Sequence, residues 1–295
     1  MWRRGLMAGI LAVTATAAAA QECGLPGLPG CVVPLGRYSV ALPETGAAPY
    51  PVLLHLHGAG GTGEGVVKGQ IAKAALARGY AVLAPSGYHP GRKYAKNWSV
   101  RAAGTEGEFK IDDTELIRQS IADAAARFGI DPSRILLSGF SRGASMVWDI
   151  ACNSPDLARA FAPVAGAFWD PLPERCTRPV DLFHTHGWTD RVVPLEGRSL
   201  RGGKVVQGDV FQSLFILRAT NGCTARQPES GPIEGDRWRR VWSDCAAGRI
   251  DLLLHPGPHG VPKWWADLAL DWFEERLAED RTVIAKEKET CTASC

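Results

Sequence analysis

Arg134-Ile135-Leu136-Leu137-Ser138-Gly139-Phe140-Ser141-Arg142-Gly143-Ala144 is the stretch on which the fold turns. Residues 134–138 form a short, largely apolar run of strand length, and residues 144–152 read as a helix. Between them, Gly139-Phe140-Ser141-Arg142-Gly143 fits the pattern G-x-S-x-G. Alone, the pentapeptide recurs by chance and can be an ordinary glycine-rich turn. Directly after a strand and opening a helix, it marks a nucleophile elbow. Such a turn strains the serine backbone, so neighbouring positions must lack side chains. The serine hydroxyl then stands above the carboxyl end of a sheet.

Reading outward, residues 52–56 and 80–84 are apolar runs suited to strands buried on both faces. Residues 37–42 alternate like an edge strand, whereas 24–34, rich in glycine and proline, read as a loop. Residues 66–78 carry helical spacing closed by Gly79, and Asp112 or Asp113 can cap a helix running to Phe128. Further strands are expected at 160–164, 180–184, 237–242 and 250–255, with helices at 210–220 and 261–277. Strands alternating with helices imply an α/β fold: a mostly parallel central sheet flanked by helices on both faces. The long polar loop over 86–110 is of a length associated with function.

A serine hydroxyl is a weak nucleophile and needs a base that is itself oriented by an acid. Around such an elbow the acid and then the histidine follow in chain order, each after a later strand. Asp190 lies in the loop beyond His186-Gly187-Trp188-Thr189. Its rivals are Asp170, which precedes the strand, and Asp181, which begins it. His259 sits in Pro256-Gly257-Pro258-His259-Gly260, between the last strand and the final helix. His255 competes, but on the strand itself. The oxyanion of an acyl-transfer intermediate requires donors. The expected pair is the N–H of Arg142 and that of Ala59, within His57-Gly58-Ala59-Gly60-Gly61.

His55-x-His57 and His184-x-His186 have a spacing that zinc can use. The simpler reading is that these imidazoles hydrogen-bond nearby loops and support the triad, so neither metal nor cofactor is expected. Trp98, Trp169 and Trp188 fall in loops on the presumed active face, where they are candidates to stack on a substrate ring. The side chain of Arg142 is placed to meet either a substrate carboxylate or a neighbouring acid.

At the amino end, Arg3-Arg4, an apolar stretch over 5–13 and Ala18-Ala19-Ala20 read as a secretory signal peptide over 1–20. A single catalytic domain is expected over 21–280, and a polar tail over 281–295. Lys plus Arg number 33 against 31 Asp plus Glu, a net charge of +2 that points to neither nucleic acid nor a polyanion. All eight cysteines follow the signal peptide, and an even count in an exported chain favours disulfides. Sequential pairing is the simplest connectivity: Cys23–Cys31, Cys152–Cys176, Cys223–Cys245 and Cys291–Cys295. A secreted or periplasmic monomer without membrane contact is expected.

Together these residues resemble the exported polyhydroxybutyrate depolymerase and feruloyl esterase family of α/β hydrolases, over roughly residues 37–277. The likeness rests on Leu54-His55-Leu56-His57-Gly58, Asn97-Trp98, Phe128-Gly129-Ile130-Asp131-Pro132 and the elbow. It continues through Ala162-Pro163-Val164-Ala165-Gly166, His186-Gly187 with Asp190, Asn221-Gly222-Cys223, Cys245 and His259. It implies Ser141, Asp190 and His259 as triad and favours a Cys223–Cys245 disulfide. The chain departs where Arg142 stands beside the nucleophile in place of a small residue, and where Gly58-Ala59-Gly60-Gly61 lacks the usual polar pattern. Both departures bear on substrate rather than chemistry. The implied activity is a serine esterase acting on feruloyl, acetyl-polysaccharide or hydroxyalkanoate esters. The alternatives are a serine peptidase of the same fold and a secreted binding protein with a dead site, the latter disfavoured by an intact triad.

Overall fold

The structure, a computed structural model, describes residues 23–25, 27–89, 96–102, 105 and 108–294, with backbone alone at 230–234, 281 and 283–294. Its strands are β1 (Cys31–Val33), β2 (Gly36–Ala41), β3 (Tyr50–Leu56), β4 (Ala81–Ser86), β5 (Ile130–Phe140) and β6 (Ala160–Val164). They continue as β7 (Leu182–Gly187), β8 (Arg198–Leu200), β9 (Val205–Gln207), β10 (Glu229–Glu234), β11 (Arg237–Trp242) and β12 (Ile250–His255). Helices are α1 (Gly63–Val67), α2 (Gln70–Ala77), α3 (Asp113–Phe128), α4 (Arg142–Asn153), α5 (Val210–Asn221) and α6 (Trp265–Ser294). One sheet has the order β1-β2-β4-β3-β5-β6-β7-β12-β11-β10, and β8 pairs with β9 apart from it. The run from β4 to β12 is parallel, and both flanks are antiparallel, which makes this the α/β-hydrolase fold.

Side-chain alternation along the central strands builds the two core layers. Leu54, Leu83, Leu137 and Leu252 join one layer, with α3, α4 and α5. Their neighbours Leu53, Val82, Leu136 and Leu253 join the other, with α2 and α6. Burial on both faces explains the continuous apolar runs, each such side chain contributing roughly 1.5–3 kcal/mol. Capping follows the sequence closely. Asp112 Oδ1 accepts the Thr114 and Glu115 N–H groups at the start of α3, and Gly129 closes that helix at φ 63°. At the end of α5, Gly222 adopts φ 68° while Asn221 grips the Val180 backbone from both sides, as acceptor (3.1 Å) and donor (2.8 Å).

Several expectations need correction. The helix read over 66–78 is two, because Gly69, extended at φ −81° and ψ 174°, breaks it. The edge role assigned to 37–42 belongs to β1, which lies in the stretch read as a loop and is tied by the Cys23–Cys31 disulfide. Strands β8, β9 and β10 were not anticipated: they are short, polar or glycine-interrupted. Helix α6 continues past its amphipathic part to Ser294, since residues 265–294 contain neither glycine nor proline to stop it. Cys152–Cys176 and Cys223–Cys245 are paired as expected. The signal peptide lies outside the described residues, as does Cys295 of the expected Cys291–Cys295 pair.

Candidate active site

Ser141 follows β5 at φ 57° and ψ −120°, and as a non-glycine residue there it stores roughly 1–3 kcal/mol of strain. Close packing holds the strain in place. A Cβ on Gly139 would lie 2.6 Å from Gly143 O, and one on Gly143 would lie 2.3 Å from Leu56 O. The Ser141 N–H is fastened to Val164 O at 3.0 Å. Arg142 opens α4, so its N–H has no acceptor within the helix and sits at the positive end of the helix dipole. In the Gly58–Gly61 loop, the N–H groups of Gly60 and Gly61 donate to Lys96 O and Gly58 O. Ala59 lies beside Ser141 on the wall of one cavity.

Asp190 and His259 meet although 69 residues apart: His259 Nδ1 lies 2.7 Å from Asp190 Oδ2. The other carboxylate oxygen accepts the Val192 and Val193 N–H groups at 2.8 and 2.9 Å. Burial opposes ionisation of Asp190, but hydrogen bonds from His186, His259, Val193 and Val192 outweigh it and hold the carboxyl well below the ordinary range. The acid and histidine loops approach because position 187 is glycine: a Cβ there would sit 2.1 Å from Gly257 O. His255 ends β12 and accepts the Gly257 N–H at Nδ1, which shapes the turn carrying His259. The His259 ring then lies 4.7 Å, centroid to centroid, from that of Phe140, next to Ser141. Asp170 and Asp181 stay outside this constellation, Asp181 being bound to Arg159.

The paired histidines serve loops. The Gly87 N–H donates to His57 Nε2, so the ring proton sits on Nδ1 and goes to Gly58 O at 2.8 Å. His55 Nδ1 bonds Ser138 Oγ, and burial pushes its pKa down to about 3, which keeps it neutral. His186 donates through Nε2 to Val193 O at 2.8 Å and accepts from His184 Nε2 at 3.0 Å, bracing the Asp190 turn from behind.

The tryptophans separate. Trp98 is fully buried, contrary to its expected place on the substrate face. Its Nε1–H donates to His57 O, and its own carbonyl accepts from Arg142 Nε. These bonds, and its ring 4.8 Å from that of His57, tie it to the turn that follows β3 and to Arg142. Trp188 is half-exposed and does not line the Ser141 cavity. Trp169 does line it, donating to Ser145 Oγ at 3.0 Å, with the Arg142 guanidinium 4.3 Å above its ring centroid. Phe109, Ser145 and the β8–β9 hairpin also form this roughly 500 Å³ cavity. The sequence reading missed them, since no local pattern marks a hairpin that folds over a distant serine.

Asp149 on α4 is buried below Arg142 and accepts the Arg101 N–H at 2.7 Å. Burial pushes its carboxyl up to about 7. In the unfolded chain it ionises near pH 4, so the folded state holds the proton longer. The resulting stability is full below pH 4 and is lost as pH rises through 7. Asp149→Asn is therefore expected to flatten the decline of melting temperature between pH 5 and pH 8, read by thermal unfolding. An unchanged slope would show that Asp149 is ionised in the fold.

The chain matches the phospholipase/carboxylesterase family over residues 40–202, just over half its length. It is similar to feruloyl esterase D of Neurospora crassa, 25% identical over 76% of this chain and 73% of the relative. A probable feruloyl esterase C of Aspergillus terreus is 28% identical, over 77% of each chain. Among solved structures, the acetyl xylan esterase of Aspergillus awamori superposes with a TM-score of 0.57 at 15% identity, covering 81% of this chain and 93% of that one. The Bacillus cereus carboxylesterase gives 0.53 at 14%, covering 82% and 95%. Both structural likenesses bear on the fold.

Proposed function

Because the chain belongs to the phospholipase/carboxylesterase family and is a feruloyl esterase-like carboxylic-ester hydrolase, we propose that it works through Ser141, His259 and Asp190. His259 Nε2 takes the Ser141 proton as Oγ attacks the ester carbonyl. Asp190 holds the ring so that its Nδ1–H is committed and Nε2 is the free base. The N–H groups of Ala59 and Arg142 receive the oxyanion, the alcohol leaves with the proton, and water releases the acid by the reverse route. The observation that carries this reading is the 2.7 Å Asp190–His259 pair, with the His259 ring against Phe140, the residue before a strained Ser141 on a cavity of about 500 Å³. That volume suits a phenolic acyl group or a sugar ester.

The substrates proposed are feruloyl or acetyl esters of polysaccharide fragments, with hydroxyalkanoate esters second. Feruloyl esters come first because the names of several relatives point to them. Export, with residues 1–20 removed and one domain over 21–280 acting as a monomer, is part of the same proposal; the three disulfides support it.

A serine-reactive phosphonate tests the nucleophile directly. Peptide mapping is expected to find one label, on Ser141, with turnover of a short-chain nitrophenyl ester falling in step. An active protein labelled elsewhere, or not at all, would overturn the assignment.

A further inference from the structure

The charged side chains on the cavity beside Ser141 are, among the described residues, arginines. Arg142, Arg198 and Arg201 line it, and no Asp or Glu does so among the described residues. Arg142 is held in one place: its Nε–H donates to Trp98 O at 3.0 Å, and its guanidinium covers the rings of Trp169 and Phe109 at 4.3 and 5.7 Å. Arg198, on β8, donates Nε–H to Gln207 Oε1 at 3.0 Å and Nη1–H to Arg191 O at 3.3 Å. Both acceptors are neutral oxygens, which fix the side chain without cancelling its charge. Arg201 pairs with Glu108 at the outer rim, where solvent weakens the attraction.

Resting on the esterase reading above, we infer that this cavity takes an ester whose acid or alcohol half carries a carboxylate of its own. The planar guanidinium of Arg198 matches a carboxylate with two parallel donors. The reaction is unchanged: the second carboxylate is a handle and takes no part in bond making. The β8–β9 hairpin is then the specificity element, presenting Arg198 to the cavity that Ser141 also lines.

Two isosteric ester pairs test this, with acid release followed at constant pH. Monoethyl succinate against ethyl 4-methylpentanoate places the carboxylate on the acid half; carboxymethyl acetate against isobutyl acetate places it on the alcohol half. The wild-type kcat/KM is expected to favour the carboxylated member of one pair by about tenfold or more, the scale of a single well-placed charged contact. The favoured pair identifies the half. Arg198→Gln is expected to erase most of that preference and Arg198→Lys to restore part of it. Neutral esters hydrolysed as well as carboxylated ones in both pairs would overturn the inference and leave the esterase reading standing. A preference untouched by Arg198→Gln would also overturn it. No turnover of any of the four esters by folded protein would count against both.

Discussion

Ser141→Ala is expected to lower kcat for a short-chain nitrophenyl ester by about 10⁴- to 10⁶-fold, while circular dichroism and melting temperature stay close to wild type. Alanine removes the attacking oxygen and nothing else of substance. The elbow at φ 57° is imposed by the packing of Gly139 and Gly143 against Gly143 O and Leu56 O, and the Ser141 N–H to Val164 O bond is a backbone contact. The residual rate would come from the oxyanion donors and substrate binding. Melting temperature is the informative control, because alanine at a positive φ is no easier than serine. A variant retaining a tenth of the activity would remove Ser141 from the mechanism, whatever its fold.

Asp190→Asn is expected to cost about 10⁴-fold in kcat, or roughly 5 kcal/mol of transition-state stabilisation, with little change in KM. The hydrogen bonds dictate the reason. One Asp190 oxygen accepts two backbone N–H groups, from Val192 and Val193, and the other accepts His259 Nδ1–H. An asparagine keeps its carbonyl oxygen on the two N–H groups and so turns its NH₂ toward His259. That NH₂ needs an acceptor, which forces the ring into the tautomer with its proton on Nε2. A protonated Nε2 cannot take the Ser141 proton. The same substitution removes the negative charge that stabilises the imidazolium as the reaction proceeds. A loss under tenfold, measured on folded protein with the same ester, would reassign the acid.

How much of this could be read beforehand depended on whether the signal was local. The elbow is written in five consecutive residues, because the collision that demands Gly139 and Gly143 arises within the turn itself. The strands β3, β4 and β5 declare themselves because burial on both faces makes their central residues, 52–54, 81–84 and 135–137, continuously apolar. The helix ends at Gly79 and Gly129 are local for a similar reason: only a residue that tolerates positive φ closes a helix in that way. Asp190 and His259 were legible as loop residues following strands, since chain order around the elbow constrains where each partner can fall.

What failed was whatever depended on a distant neighbour. Trp98 has the look of an exposed loop aromatic, and only packing against His57 and Arg142 decides that it is buried. Gly187 carries no motif of its own; its necessity comes from Gly257 O, seventy residues later, lying where a Cβ would be. The β8–β9 hairpin has too few residues to show an alternating pattern, yet it brings Arg198 and Gln207 onto the cavity that Ser141 opens into. The sequence alone therefore determined the layered fold and the candidate groups of the site, since both follow from periodicity, chain order and the steric demands of short turns. The tertiary structure alone decided the shape and charge of the cavity, because a cavity is formed by side chains far apart in the chain whose contacts leave no trace in local pattern.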